Sequence, residues 1–257
     1  MKFDFQKYQG TGNDFIIIDN RDGKFPVDEE LVKRLCDRKY GIGSDGLILL
    51  EENIRSDFYM NFFNPDASQS FCGNGSRCIA QYALENGIVT GRINFRAIDG
   101  LHIAEKIGDW IHLRMNDVSD IEPAKNYTIL NTGSPHYIER VNKAEEVDII
   151  ERAHQIRYSE KFQKEGINVN FVEAISSKIK MRTYERGVEA ETLSCGTGVT
   201  AAAIAFALEK DLEKEVEVET KGGELKVTFE RDGSGFKNIW LCGPAKKVFE
   251  GRIDVKG

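Results

Sequence analysis

Residues 199–208 read VTAAAIAFAL, and Thr200 is the only polar side chain among them. A helix that is apolar all round has no face for water and must be buried all round. At 1.5 Å per residue it spans about 15 Å, too short for the roughly 30 Å hydrocarbon core of a bilayer. Its surroundings must therefore be protein, and sheet wrapped around most of the helix is the arrangement that fits.

The same stretch has a counterpart earlier in the chain. Immediately before the apolar run stands SCGTG (194–198), and the first half carries SFCGNGSRC (70–78) followed by the helical run RCIAQYALENG (77–87). The match extends upstream. GTGNDFIIID (10–19) and NTGSPHYIER (131–140) each make a Thr-Gly turn into a strand. An amphipathic helix follows each. DEELVKRLCDRK (28–39) aligns Leu31, Val32, Leu35 and Cys36, and EVDIIERAHQIR (146–157) aligns Ile149, Ile150, Ala153 and His154. Two strands come next, LILLE and DFYMNFF in the first half, NVNFVEA and IKMRTYE in the second. Gly12 to Cys72 is 60 residues and Gly133 to Cys195 is 62. The chain reads as two copies of one unit joined near residues 115–125. The expected fold class is α/β (α+β), in two pseudo-symmetric domains, each a curved, mostly antiparallel sheet closing around its own central helix.

Composition narrows the function. With 40% hydrophobic and 30% charged residues over 257 positions, this is an ordinary globular chain. A net charge of −7 without a basic stripe argues against nucleic acid as a partner. The start, MKFDFQKYQG, lacks the apolar core of a signal peptide, and no run is long enough to span a membrane. An odd set of five cysteines (Cys36, Cys72, Cys78, Cys195 and Cys242) without an export signal points to free thiols and a cytoplasmic location. The four histidines form neither HxH nor HExxH, and no metal site is expected.

The Cys-Gly-x-Gly pairs carry the chemistry. The first N–H groups of a helix lack intrahelical partners and, with the helix dipole, make an anion site. Glycine lets a ligand approach that backbone closely. A thiol there ionises more easily than usual. Each motif thus combines a carboxylate cradle with a potential thiolate base. Two such motifs could invert a stereocentre, one thiolate taking a proton from carbon while the other thiol returns one from the opposite face. No nucleotide fingerprint accompanies them, and no cofactor is expected. Cys36, Cys78 and Cys242 lie on apolar faces or strands and read as packing residues.

These motifs resemble the diaminopimelate epimerase family of cofactor-independent, two-cysteine epimerases. The matching pieces are GTGNDF, GIGSDGL, FNPDASQSFCGNGSRC, TGSPH, NVNF and YERGVEAETLSCGTG, in the family's order over nearly the whole chain. The resemblance implies two α/β domains with the active site in the cleft between them. They would be residues 1–116, joined by the tail 247–257, and residues 117–246. It implies Cys72 and Cys195 as the catalytic pair, and the amides of Gly73, Asn74, Gly196 and Thr197 as the cradle for the reacting carboxylate. Asn13 would contact substrate, Asn64, Asn168 and Arg186 would hold its distal end, and Glu185 would stand near the reacting centre. His136 and Ser134 would support the site. The family's usual Asn-Pro-His is Ser134-Pro135-His136 here, the Asn64–Cys72 loop is one residue shorter and the Arg186–Cys195 loop one longer. The expected activity is conversion of LL- to meso-2,6-diaminopimelate for lysine and peptidoglycan precursors, by a cytoplasmic homodimer acting on a small diamino dicarboxylate. The alternatives are a related racemase, for example of histidine, an isomerase of the phenazine-biosynthesis type, or a non-catalytic binding protein on the same scaffold.

Overall fold

The computed structural model describes residues 1–255; the last two residues of the expected tail, 256 and 257, lie outside the described residues. The chain divides into two compact units. The first comprises residues 1–113 with the C-terminal residues from 244 on, and the second residues 114–243.

The first unit contains β1 (Lys2–Gly10), β2 (Asn13–Asp19), α1 (Glu29–Cys36), β3 (Gly46–Glu51), β4 (Phe58–Phe63), α2 (Gly73–Glu85), β5 (Ile93–Ala97), β6 (Gly100–Ile107) and β7 (Trp110–Arg114). The second contains β8 (Ile121–Pro123), β9 (Tyr127–Asn131), β10 (Pro135–Val141), α3 (Ile149–Arg157), β11 (Asn168–Ile175), β12 (Lys178–Glu185), β13 (Ala190–Thr192), α4 (Gly196–Lys210), β14 (Glu215–Thr220), β15 (Gly223–Asp232) and β16 (Gly235–Pro244). The final strand, β17 (Lys246–Asp254), returns to the first unit and pairs antiparallel with β1.

The pairing pattern repeats. Along β1-β2-β3-β4-β5-β6-β7 the neighbours run antiparallel, parallel, antiparallel, parallel, antiparallel, antiparallel. Along β9-β10-β11-β12-β14-β15-β16 the series is identical. Each parallel pair needs a crossover, and these are α1 and α2 in one unit, α3 and α4 in the other. The α/β duplication expected from the sequence is therefore a duplication of topology. The first Thr-Gly turn is a two-residue hairpin in which Thr11 and Gly12 both have positive φ, 51° and 84°. That geometry matches the twist of the strands it joins.

The outer helices pack as their spacing dictates. Leu31, Val32, Leu35 and Cys36 of α1 are buried against Ile16 and Ile18 of β2 and Leu47 and Leu49 of β3. Asp28 caps this helix through the Leu31 N–H at 2.9 Å. The second amphipathic helix differs from expectation. Residues 144–146 form a separate 3₁₀ turn, and α3 starts only after its own cap, Asp148. Its buried face is Ile149 and Ala153, whereas Ile150 is 43% exposed and His154 is turned outward, bonding the Tyr184 hydroxyl at 3.0 Å. Ile150 stands 100° round the helix from Ile149, so the shorter helix presents a narrower stripe.

The central helices are enclosed. Helix α4 packs against β9, β10, β11, β12, β14 and β15, and α2 against β1, β2, β3, β4, β6 and β17. One short helix touches six strands of its own sheet only if the sheet curls around it. In α4 every residue from Val199 to Ala207 is buried, and Thr200 satisfies its hydroxyl on the Gly196 carbonyl at 3.0 Å. Helix α2 is enclosed equally well despite its polar residues: Ser76, Arg77 and Gln81 are all buried. Closed packing leaves no room for added volume. Ala203→Leu should lower the unfolding free energy by about 1–3 kcal/mol, read by urea denaturation. Thr200→Val, similar in shape and missing only a local bond, should cost less than about 1.5 kcal/mol.

Candidate active site

In the first unit Cys72 is the cap residue of α2. Its backbone is extended, and its Sγ accepts the Gly75 N–H at 3.4 Å. The preceding Phe71 stacks on His102 with ring centroids 4.3 Å apart, and His102 is bonded to Asp99 at 2.8 Å. Gly73 and Asn74 form the buried first turn. The Asn74 side chain donates to Asn13 Oδ1 at 3.1 Å and accepts from Arg77 Nη2 at 3.1 Å. Asn13 in turn donates to Asp45 at 2.6 Å, and Arg77 donates to the Thr11 hydroxyl at 3.1 Å. Asn13 and Asn74 thus meet. Asn64 lies in the loop before Cys72, and its Nδ2 is shared among the Ser68 carbonyl and the Ser68 and Ser70 hydroxyls, each at 3.1 Å. With its donor end occupied, Asn64 offers a ligand its Oδ1, an acceptor suited to an ammonium group.

In the second unit Cys195 caps α4 with a similar extended backbone and is 7% exposed. Its sulfur lies 3.4 Å from the Thr197 hydroxyl, which lies 2.9 Å from His136 Nε2. Gly196 begins the helix, and the Thr132 hydroxyl holds the Thr197 carbonyl at 2.8 Å. The Thr-Gly turn therefore braces the start of the helix that follows the cysteine, in this unit through Thr132 and in the first through Thr11. His136 is completely buried. Burial, with the Arg186 charge as the second cause, lowers it to about 3, so it is a neutral imidazole.

Asn168 gathers the distal residues. It donates to Ser134 Oγ at 2.9 Å and the Pro135 carbonyl at 3.1 Å, and accepts the Arg186 N–H at 2.8 Å. Arg186 is exposed, and its Nη1 donates to the Glu165 carbonyl at 2.8 Å. Glu185 precedes it as the half-buried last residue of β12. The structure thus brings Ser134, Asn168 and Arg186 together, with Glu185 next in the chain.

The other thiols are enclosed. Burial raises the pKa of Cys36 and Cys78, keeping both protonated, and Cys242 is fully buried. Among the described residues no group of three or more His, Cys, Asp or Glu is arranged to hold a metal ion, and no helix is long and apolar enough to cross a membrane. Three residues in these networks escaped the sequence reading. Arg77 sits in a helix that looks merely amphipathic. Asp45 lies in GIGSDGL, quoted only as a block. Asn170, whose Nδ2 lies 3.1 Å from His136 Nδ1, is two residues past Asn168 and so on the same strand face, the one signal that could have found it.

The model of the family described as diaminopimelate epimerase matches residues 5–116 and 128–248. A diaminopimelate epimerase of Flavobacterium psychrophilum is 47% identical, with 96% of this chain and 98% of the relative aligned. One from Aquifex aeolicus is 41% identical, with 97% of each chain aligned. Among solved structures, a Bacillus anthracis phenazine biosynthesis protein of the PhzF family superposes with a TM-score of 0.78 at 17% identity, covering 99% of this chain and all of the other. A hydroxyproline epimerase from Agrobacterium vitis gives 0.72 at 15%, covering 98% and 91%. These two share the fold. The sequence relatives share far more, and at such identity over nearly full length the chain belongs to the diaminopimelate epimerase family.

Proposed function

We propose that the chain interconverts LL- and meso-2,6-diaminopimelate without a cofactor, with Cys72 and Cys195 as the two bases. The observation that carries this reading is that each unit presents a cysteine as the cap of an enclosed, glycine-started helix. The amides of Gly73, Asn74, Gly196 and Thr197 receive the carboxylate of the reacting centre. The thiolate of one cysteine takes the α-proton, and the electron pair is left on carbon and delocalised into that carboxylate. Oriented N–H groups stabilise the charge where it develops. The other cysteine's thiol then delivers its proton to the opposite face and becomes the thiolate. Reversal exchanges the two roles.

Asn13, held by Asn74 and Asp45, contacts the substrate beside Cys72, and Glu185 receives an ammonium group near the reacting centre. Arg186 takes the distal carboxylate, for which a planar fork of donors is suited. Asn168 and Ser134 steady it, and Asn64 contributes Oδ1. His136 supports Thr197. A cytoplasmic homodimer supplying lysine and peptidoglycan precursors completes the proposal.

Transfer of solvent deuterium to Cα of LL-diaminopimelate tests the chemistry. Wild type should incorporate the label as the meso form appears. Cys72→Ala and Cys195→Ala should each lose about a hundredfold or more of turnover, the usual scale for removing a catalytic acid or base. A variant that retained most of its turnover would remove that cysteine from the scheme. Arg186→Lys keeps the charge but loses the fork, and should lower kcat/KM for diaminopimelate about tenfold, or about 1.4 kcal/mol. Lysine, which lacks the distal carboxylate, should be a far poorer substrate. Equal turnover of both compounds would overturn the distal assignment.

A further inference from the structure

We propose that Asn170 is a positioning residue for Cys195: it fixes the tautomer of His136 and so turns the Thr197 hydroxyl hydrogen onto the cysteine sulfur. This rests on the reading of Cys195 as a reacting thiol.

Each hydrogen bond from Thr183 to Thr197 has a forced direction. Asn170 lies on β11 opposite Thr183 of β12. Its Oδ1 can only accept, so the Thr183 hydroxyl donates to it, at 2.9 Å. Its Nδ2 lies 3.2 Å from the Tyr137 carbonyl, which also only accepts, so the amide orientation is settled. The same Nδ2 lies 3.1 Å from His136 Nδ1 and donates to it. Nδ1 is then unprotonated, and a neutral ring carries its hydrogen on Nε2. That hydrogen points at Thr197 Oγ1, 2.9 Å away. A thiolate at Cys195 can only accept, so the hydroxyl, itself accepting from His136, directs its own hydrogen along the 3.4 Å separation to Sγ. A donor to a thiolate favours the ionised form.

The packing is built around this amide. A Cβ on Gly198 would lie 2.7 Å from Asn170 Oδ1 and 3.3 Å from His136 Cε1. Glycine in the first turn of α4 is thus what lets the polar chain pass beneath the helix. Asn170 and His136 are both completely buried, so water does not compete for these bonds. Ionisable groups on strands packed against α4 include His136 on β10 and Glu185 at the end of β12, with Arg186 next in the chain. Glu191 on β13 is paired with Arg182 and Lys221. Among them, His136 is the one joined to Cys195 through Thr197.

Two measurements on the substrate-free protein test the proposal. Side-chain ¹⁵N NMR of wild type should find His136 as the Nε2–H tautomer; finding the hydrogen on Nδ1 would overturn it. Thiolate ultraviolet absorbance, taken as the difference from Cys195→Ala, gives the ionisation midpoint of Cys195. Thr197→Val should raise that midpoint by about one pH unit, tenfold in ionisation, and Thr197→Ser should restore it. An unchanged midpoint in Thr197→Val would show that the hydroxyl does not act on the sulfur. Asn170→Leu, folded by circular dichroism, should give mixed His136 tautomers and a raised midpoint. Retention of both wild-type values would remove Asn170 from the role. If Asn170→Leu does not fold, the wild-type tautomer and the Thr197 pair decide. No substrate enters these measurements, so failure here leaves the epimerase reading standing, and failure of substrate turnover leaves the measured tautomer and ionisation midpoint standing.

Discussion

Enclosure of one helix per unit, over all but its last turn, governs this molecule. An α-helix can hide its sides in a sheet, because its side chains tolerate apolar neighbours and its internal amides are paired. Its first turn cannot be hidden that way, since those N–H groups need an acceptor. A sheet that wraps α2 or α4 therefore leaves one polar end on which chemistry can be built, and each of these ends carries Cys-Gly-x-Gly. The glycines serve packing as well as ligand access. A Cβ on Gly75 would press on Ile48 and Met60 at 3.2 Å, and one on Gly198 would meet Asn170.

The two ends are related but not alike. The second residue after each cysteine is Asn74 in one unit and Thr197 in the other. The Asn74 side chain joins a network of Arg77, Thr11, Asn13 and Asp45. The Thr197 hydroxyl instead reaches the sulfur of its own cysteine and a buried neutral histidine. Duplication supplied the frame, and side chains at matched positions then took different duties. An epimerase that must work on both faces of one carbon has a use for that divergence.

Much of this architecture could be read from the residues because burial leaves a strong mark on composition. VTAAAIAFAL has no polar stripe, and its enclosure followed from that alone. The strands LILLE, DFYMNFF, NVNFVEA and IKMRTYE stand where periodicity put them. Enclosure of α2 was harder to see, because Arg77 and Gln81 look like a solvent face until their partners are known. The stripe on α3 was drawn too wide at Ile150 and His154, since a three-residue difference in where a helix starts cannot be read from a short amphipathic run. Asn170 was harder still to read. Its role depends on β10, β11 and β12 lying side by side, and on a glycine in a helix almost thirty residues later.

The return of β17 has a consequence for biosynthesis. This strand covers β1 along most of its length, packs on α2, and the Val255 N–H bonds the Met1 carbonyl at 2.7 Å. A chain emerging amino terminus first has made every strand around α4 by residue 232, within a unit that ends at residue 243. The amino-terminal unit is translated first yet cannot seal its central helix until β17, after the whole second unit, has been made. During that interval β1 offers an open edge and α2 an uncovered flank, the kind of surface that chaperones shield. The order of completion is thus the reverse of the order of synthesis.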